Sequence, residues 1–147
     1  MSTEPTLSRA RWAQDEKTLK QLRETVFVQE QQVPAEIEWD GRDRDAVHVI
    51  ACDGDRAIAC GRLLADGKIG RMAVLPDWRG RGVGAAILAA LVDEARQRGL
   101  RRVYLHAQTQ AEGFYGAQGF SAEGARFEEA GIAHVAMARE IDFLDCP

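Results

Sequence analysis

The stretch Lys68-Ile-Gly-Arg-Met-Ala-Val-Leu-Pro-Asp-Trp-Arg-Gly-Arg-Gly-Val-Gly-Ala-Ala-Ile-Leu-Ala-Ala-Leu-Val92 constrains this chain more than any other. It reads as a strand over Ile69–Leu75, a turn at Pro76-Asp77, a loop dense in glycine and arginine, and then a helix. A strand that feeds a helix through such a loop brings consecutive backbone N–H groups and the positive end of the helix to one place, which suits an anion. Gly80, Gly82 and Gly84 lack Cβ atoms, so positive φ and a close approach of backbone to ligand are expected there. Arg79 and Arg81 add forked donors that match phosphate oxygens. With the amides of Val83 and Ala85 at the helix start, the loop is predicted to cradle a pyrophosphate.

Three other readings compete for the loop. A nucleotide-triphosphate loop ends in Gly-Lys-Ser/Thr, whereas Gly84 is followed by Ala85 and Ala86. Gly80-Arg-Gly82-Val-Gly-Ala85 does satisfy G-x-G-x-x-A, but a dinucleotide site also needs an acidic residue about 20 positions on. None occurs between Glu94 and Glu112. A glycine-rich turn without a ligand leaves the paired arginines unexplained.

The chain has 147 residues, the size of a single domain with one substantial core, here expected over about 5–141 with a short frayed tail from Asp142 to Pro147. A net charge of −4 argues against general nucleic-acid binding. The local basic groups, Arg79, Arg81 and the run from Arg96 to Arg102, are read as lying beside the cradle. Met1–Ala13 carries no secretory pattern, and the longest apolar run, Val83–Val92, is too short to span a bilayer, so a cytoplasmic protein without membrane attachment is expected. Cys52, Cys60 and Cys146 show no metal-ligand spacing, and no metal is expected.

In chain order, Leu7–Ala13 reads as an edge strand, and Asp15 as the cap of a helix through Leu19, Leu22 and Val26 toward Gln31. Asp40–Asp45 reads as a mobile surface loop. Ala46–Cys52 and Arg56–Leu64 form a hairpin about Asp53-Gly54-Asp55, and Asp66-Gly67 turns into the strand before the cradle. Gly82–Arg98 is a helix whose Val83, Ile87, Leu88, Leu91, Val92 and Ala95 form one stripe, stopped at Gly99. Arg101–Ala107 follows as a strand parallel to the one before the helix. A short helix over Gln110–Ala117 leads to a last hairpin, Phe120–Phe127 and Ile132–Glu140, turning at Ala130-Gly131.

Arg79-Gly-Arg-Gly82-Val-Gly84 resembles the Q/R-x-x-G-x-G/A signature of the GNAT N-acetyltransferase superfamily, and Ala111-Glu-Gly-Phe-Tyr-Gly-Ala-Gln-Gly-Phe120 resembles its A-x-x-F-Y-x-x-x-G-F motif. Val26-Phe-Val-Gln-Glu-Gln31, Leu105-His-Ala-Gln108 and Gly131-Ile-Ala-His-Val-Ala-Met137 are similar to a small bacterial subgroup of that superfamily. The resemblance implies an α/β fold of α+β type: a mixed, mostly antiparallel, twisted sheet with helices on both faces and a splay between its fourth and fifth strands. It implies acetyl-CoA as co-substrate, with Met72, Ala73 and Val74 pairing its pantetheine arm through backbone, and Gln108 and Phe114 beside it. Gln108 stands where many relatives carry asparagine. Many relatives are dimers, so a homodimer is left open.

The implied reaction moves an acetyl group directly to an amine. The amine must be neutral to attack, and the departing sulfur benefits from an acid. Tyr115 matches the family's tyrosine near the sulfur and is the candidate acid. Gly70 occupies the position where relatives place a glutamate base. His106 is the first substitute; Glu30, Glu128 and His134 are others, and Cys60 as an acyl carrier has no base paired with it in sequence. The acceptor, a small primary amine or a lysine side chain, is expected near Glu30, Gln31, Glu36, Glu38 and Trp39, with Glu128 and Glu129 adding carboxylates that favour a cation. The rivals are a non-catalytic acyl-CoA-binding regulatory module, which the missing glutamate favours, and a nicotinamide enzyme.

Overall fold

The computed structural model describes residues 5–10, 12–26, 43 and 45–141. In chain order these form β1 (Thr6–Ala10), α1 (Trp12–Arg23), β2 (Val47–Asp53), β3 (Arg56–Leu63), β4 (Ile69–Val74), α2 (Val83–Gln97), β5 (Arg102–Gln108), α3 (Glu112–Ala117), β6 (Ser121–Glu129) and β7 (Ile132–Glu140). Short 3₁₀ turns precede the cradle at Pro76–Trp78 and α3 at Thr109–Ala111. Strands β1–β4 make an antiparallel sheet in sequence order, and β5, β7 and β6 a second one with β7 in the middle. One parallel bridge, Lys68 to Tyr104, joins the two, with the Tyr104 amide donating to Gly67 O at 3.1 Å. Past that bridge β4 and β5 belong to different sheets, which is the expected splay.

The splay has a local cause that the sequence did not announce. Arg71 takes φ of 49°, and the register of β3 on β4 shifts between Cys60 and Arg62. A non-glycine residue at positive φ is the signature of a strained bulge, and a bulge bends its strand out of the plane of its neighbour.

Helix α2 lies on one face of the sheets because its apolar stripe has nowhere else to go. Val83, Ile87, Leu88, Leu91, Val92 and Ala95 are all buried, against Val47, Val49, Leu63 and Ile69 of the first sheet and Val103, Leu105, Val135 and Met137 of the second. Burying each larger side chain contributes about 1.5–3 kcal/mol. A Cβ at Gly61 would lie 2.7 Å from both Ile87 and Leu91, so the absence of a side chain there lets α2 approach β3. The helix ends in a paired cap: Gly99 N–H donates to Arg96 O and Leu100 N–H to Ala95 O, with Gly99 at φ of 80°.

The opposite face of the first sheet carries α1, through Leu19, Leu22 and the following Val26 against Ala10, Ile50, Cys60 and Ala73. Two sequence expectations change here. The helix starts at Trp12, so Trp12 and Ala13 leave β1, and Asp15 sits in the first helical turn, where a carboxylate complements the helix dipole. Asp43, placed on a mobile surface loop, is only 5% exposed. It accepts from Arg23 Nη1 at 2.7 Å and Arg62 Nη1 at 3.1 Å, and its carbonyl oxygen lies 2.8 Å from His48 Nε2. Two guanidiniums held at a sheet face need a carboxylate between them, and that need draws Asp43 inward.

Candidate functional site

At the cradle, Gly80 and Gly82 take φ of 74° and 82°, as expected, and an added Cβ would meet nothing within 4 Å at either. Gly84 does not share this geometry. It lies within α2, and a Cβ there would make ordinary contacts with Phe114 Cζ at 3.6 Å and Val74 Cγ2 at 3.7 Å. The first bond of the helix runs from Ala86 N–H to Gly82 O at 3.1 Å. The amides of Val83, Gly84 and Ala85 therefore precede the intrahelical ladder and point out of its positive end. Open space over two positive-φ glycines, beside free helix-end amides, fits a pyrophosphate.

The two arginines differ. Arg79 Nε donates to Val74 O at 3.0 Å, tying the loop to the end of β4, while the Arg81 guanidinium lies 4.9 Å from the centre of the Trp78 ring. The run Arg96–Arg102 is not beside the cradle. It begins in the last turn of α2, whose 15 residues separate the two ends by roughly 20 Å at a rise of about 1.5 Å per residue. Arg96, Arg98 and Arg102 are instead paired with Asp93, Glu94 and Glu123.

Phe114, Val74 and Gly84 meet where α2, α3 and β4 converge. Beside them the Tyr115 hydroxyl lies 3.9 Å from Met72 Sδ, and its ring packs edge-on to Phe114 and Phe120. Burial pushes the Tyr115 phenol up, so it keeps its proton at neutral pH and can only donate it. Tyr115, Phe114, Met72 and Val74 thus line one flank of the seam. Ala73 points to the α1 side, and the Gln108 side-chain oxygen accepts from Gln110.

His106 stands on the other flank. Alternation along β5 buries Val103, Leu105 and Ala107 against α2 and turns Tyr104, His106 and Gln108 the opposite way. His106 Nδ1 lies 3.1 Å from Glu129 Oε1, and the Phe127 ring meets the imidazole edge-on at 5.1 Å. The Tyr104 hydroxyl donates to Asp66 at 2.6 Å. Burial pushes the Glu129 carboxyl up, but the His106 hydrogen bond and the charges of His106, Lys68 and His134 outweigh it and hold the group below its ordinary value. Glu128 pairs with Ala133 one position along β6, so it faces away from His106 and does not cluster with Glu129. His134 is 7% exposed and bound to its own strand, with Nδ1 2.7 Å from Ile132 O. Cys60 is buried, its thiol 3.7 Å from Arg71 O. Glu30, Gln31, Glu36, Glu38, Trp39 and Cys146 lie outside the described residues. Among those described, no group of His, Cys, Asp and Glu has the makings of a metal site, and no helix is long and apolar enough to cross a membrane.

The model of the acetyltransferase (GNAT) domain matches residues 13–141. The chain belongs to the GNAT acetyltransferase family. Its GNAT relatives include the uncharacterized N-acetyltransferase YjcF of Bacillus subtilis (strain 168), 38% identical over 135 residues that cover 87% of this chain and 96% of that one. Protein ElaA of Escherichia coli (strain K12) is 34% identical over 131 residues, 84% of this chain and 86% of that one. Among GNAT-fold structures, the crystal structure of Escherichia coli ElaA superposes with a TM-score of 0.84 at 30% identity, over 92% of this chain and 99% of that one. An acyl-CoA N-acyltransferase from Pseudomonas aeruginosa gives 0.82 at 31% identity, again over 92% and 99%. GNAT membership makes this chain an acyltransferase with an acyl-CoA co-substrate.

Proposed function

We propose that this acyltransferase takes acetyl-CoA as donor and moves the acetyl group to a primary amine by direct attack, with both substrates bound together. The observation that carries the reading is the seam itself: β4 and β5 part after one bridge, with a protonated Tyr115 on one flank and His106 on the other. A thioester supplies the activated acyl group. Direct transfer needs a proton donor on the sulfur side and a base on the amine side, and the two groups stand on opposite sides of β5.

Gly80, Gly82 and the amides of Val83, Gly84 and Ala85 hold the pyrophosphate, with Arg81 adjacent. Backbone groups of Met72, Ala73 and Val74 on the edge of β4 turned toward β5, which has no strand beside it beyond the bridge, pair with the pantetheine amides. Phe114 and Gln108 border that arm. Tyr115 gives its proton to the departing sulfur, and His106 takes one from the amine. The acceptor is a small cationic amine or a lysine side chain, drawn by Asp66 and Glu129 on the His106 flank.

Calorimetry with acetyl-CoA, followed by release of free thiol across a panel of amines, tests the reading. Binding that weakens in Gly82→Val, together with thiol release for at least one amine, is the expected result. Failure of the wild-type chain to bind acetyl-CoA overturns it.

A further inference from the structure

One carboxylate stands between two histidines on the face of the second sheet turned away from α2. Glu129 Oε1 lies 3.1 Å from His106 Nδ1, and Oε2 lies 3.9 Å from His134 Nε2. Hydrogen-bond chemistry fixes where the protons are. His134 Nδ1 is 2.7 Å from the Ile132 carbonyl oxygen, which can only accept, so that Nδ1 carries a hydrogen and the neutral ring turns a bare Nε2 toward Glu129. Glu129 therefore receives no hydrogen bond from neutral His134. An ionised carboxylate also only accepts, so His106 Nδ1 must be the donor in the 3.1 Å contact. Neutral imidazole has one N–H, which leaves the His106 lone pair on Nε2. No described residue hydrogen-bonds that atom among the contacts His106 makes.

The surroundings hold this arrangement in place. Phe127 stacks on His134 at 6.0 Å and 22°, and meets His106 edge-on at 5.1 Å and 80°, so one aromatic ring sets both imidazole planes. The groups facing His106 are Glu129 and Phe127 from β6, His134 from β7 and Tyr104 along β5, with Lys68 at the head of β4 acting on Glu129. Ala130 and Gly131, at φ of 53° and 76°, close the hairpin in the two-residue turn that matches strand twist, which sets Glu129 opposite Ile132.

We propose that Glu129 is a positioning residue: by accepting the Nδ1 hydrogen it holds His106 in the tautomer whose Nε2 lone pair faces the acceptor amine. The proposal rests on the acetyl-transfer reading given above. Nε2 takes the one proton that an ammonium must lose before its nitrogen can attack, and passes it to solvent. As the C–N bond forms and the C–S bond breaks, the nitrogen loses its second proton to solvent, Tyr115 protonates the departing sulfur, and its phenolate regains a proton from solvent, so that one proton is released per turnover. Glu129 stays ionised throughout and pairs the imidazolium while it lasts.

The test combines a spectroscopic and a kinetic arm on the full chain. Nitrogen-15 NMR of the histidines locates the His106 hydrogen in the wild-type protein and in Glu129→Ala, whose lost side chain is 45% exposed and outside the core. Neutral wild-type His106 is expected to carry its hydrogen on Nδ1, and Glu129→Ala to move it largely to Nε2. A tautomer unchanged by the substitution overturns the proposal, whether or not an acceptor amine is known. In turnover, Glu129→Ala should lower kcat by about tenfold, a part of the roughly hundredfold or more that the base itself contributes, with acetyl-CoA affinity unchanged. In a His106→Gln background the same substitution should add nothing. An equal loss in that background means that Glu129 acts by another route and overturns the proposal. If the wild-type chain binds acetyl-CoA and acetylates no amine, the transfer reading fails while the NMR arm still decides what Glu129 does to His106.

Discussion

The two faces of the first sheet are stabilised by different physics. Toward α2, the interface is apolar throughout, from Val47 and Leu63 to Ile87 and Leu91. Toward α1, an apolar cluster about Leu19 and Leu22 adjoins Arg23, Asp43, Arg62 and His48, all buried. The first face gains stability in proportion to area removed from water, whatever the pH. The second has paid for desolvating charges and recovers that cost only while every partner stays in place. The apolar face carries the cradle helix and Tyr115, and it is the tolerant one. The charged face is the one that α1 covers, and small chemical changes there should cost more.

The largest effect should come from Asp43→Ala, which removes the carboxylate between two buried guanidiniums and should lower unfolding free energy by about 3–5 kcal/mol in urea titrations. Leu91→Ala, its counterpart on the apolar face, should cost about 2–5 kcal/mol with no dependence on pH. Equal pH profiles for the two variants would erase the contrast between the faces. Tyr115→Phe leaves the packing intact and should reduce thiol release by about a hundredfold, with little change in acetyl-CoA affinity by calorimetry. Gly82→Val forces a β-branched residue to φ of 82°, a strain of about 1–2 kcal/mol that should appear as weakened acetyl-CoA binding. Gly84→Ala, which meets only ordinary contacts, should bind nearly as wild type.

The smallest effect concerns His48. Burial pushes its imidazole below the usual 6.5, outweighing the Asp43 contacts that raise it. The folded chain then binds fewer protons than the unfolded chain as pH falls through 6.5, so acid favours unfolding. The stability at stake is complete above that pH and declines below it. Thermal melts of His48→Gln across that range should show a shallower acid decline than the wild type, and an identical decline would remove His48 from the account.

Much of this was legible because its signals are local. Glycine and arginine density marked the cradle, and the spacing of Ile87, Leu88, Leu91 and Val92 marked α2 to within a residue at either end. The charged cluster was not legible, since Arg23, Asp43 and Arg62 come from three distant segments and Asp40–Asp45 has the composition of a surface loop. Nor was the bulge, because nothing about an arginine at 71 announces positive φ. Glu128 and Glu129 were indistinguishable for a further reason: strand periodicity is two, so a register uncertain by one residue exchanges the faces. The tight turn at Ala130-Gly131 was the signal that could have separated them, by fixing which glutamate lies opposite Ile132.

The lone bridge at Lys68 and Tyr104 also has a thermodynamic meaning. Two sheets tied by one rung are held together chiefly by the core they share under α2, and amides along the open edges of β4 and β5 should exchange with deuterium sooner than those in the paired interior. In the complex proposed above, a ligand lying between them would act as the missing strand. Its binding energy is then added to the cohesion of the whole molecule, about 2.7 kcal/mol when it is present at a hundred times its dissociation constant. If the donor substrate lies there, it is a structural component of the protein that uses it, and melting temperature becomes a measure of how well any candidate acyl thioester completes the sheet.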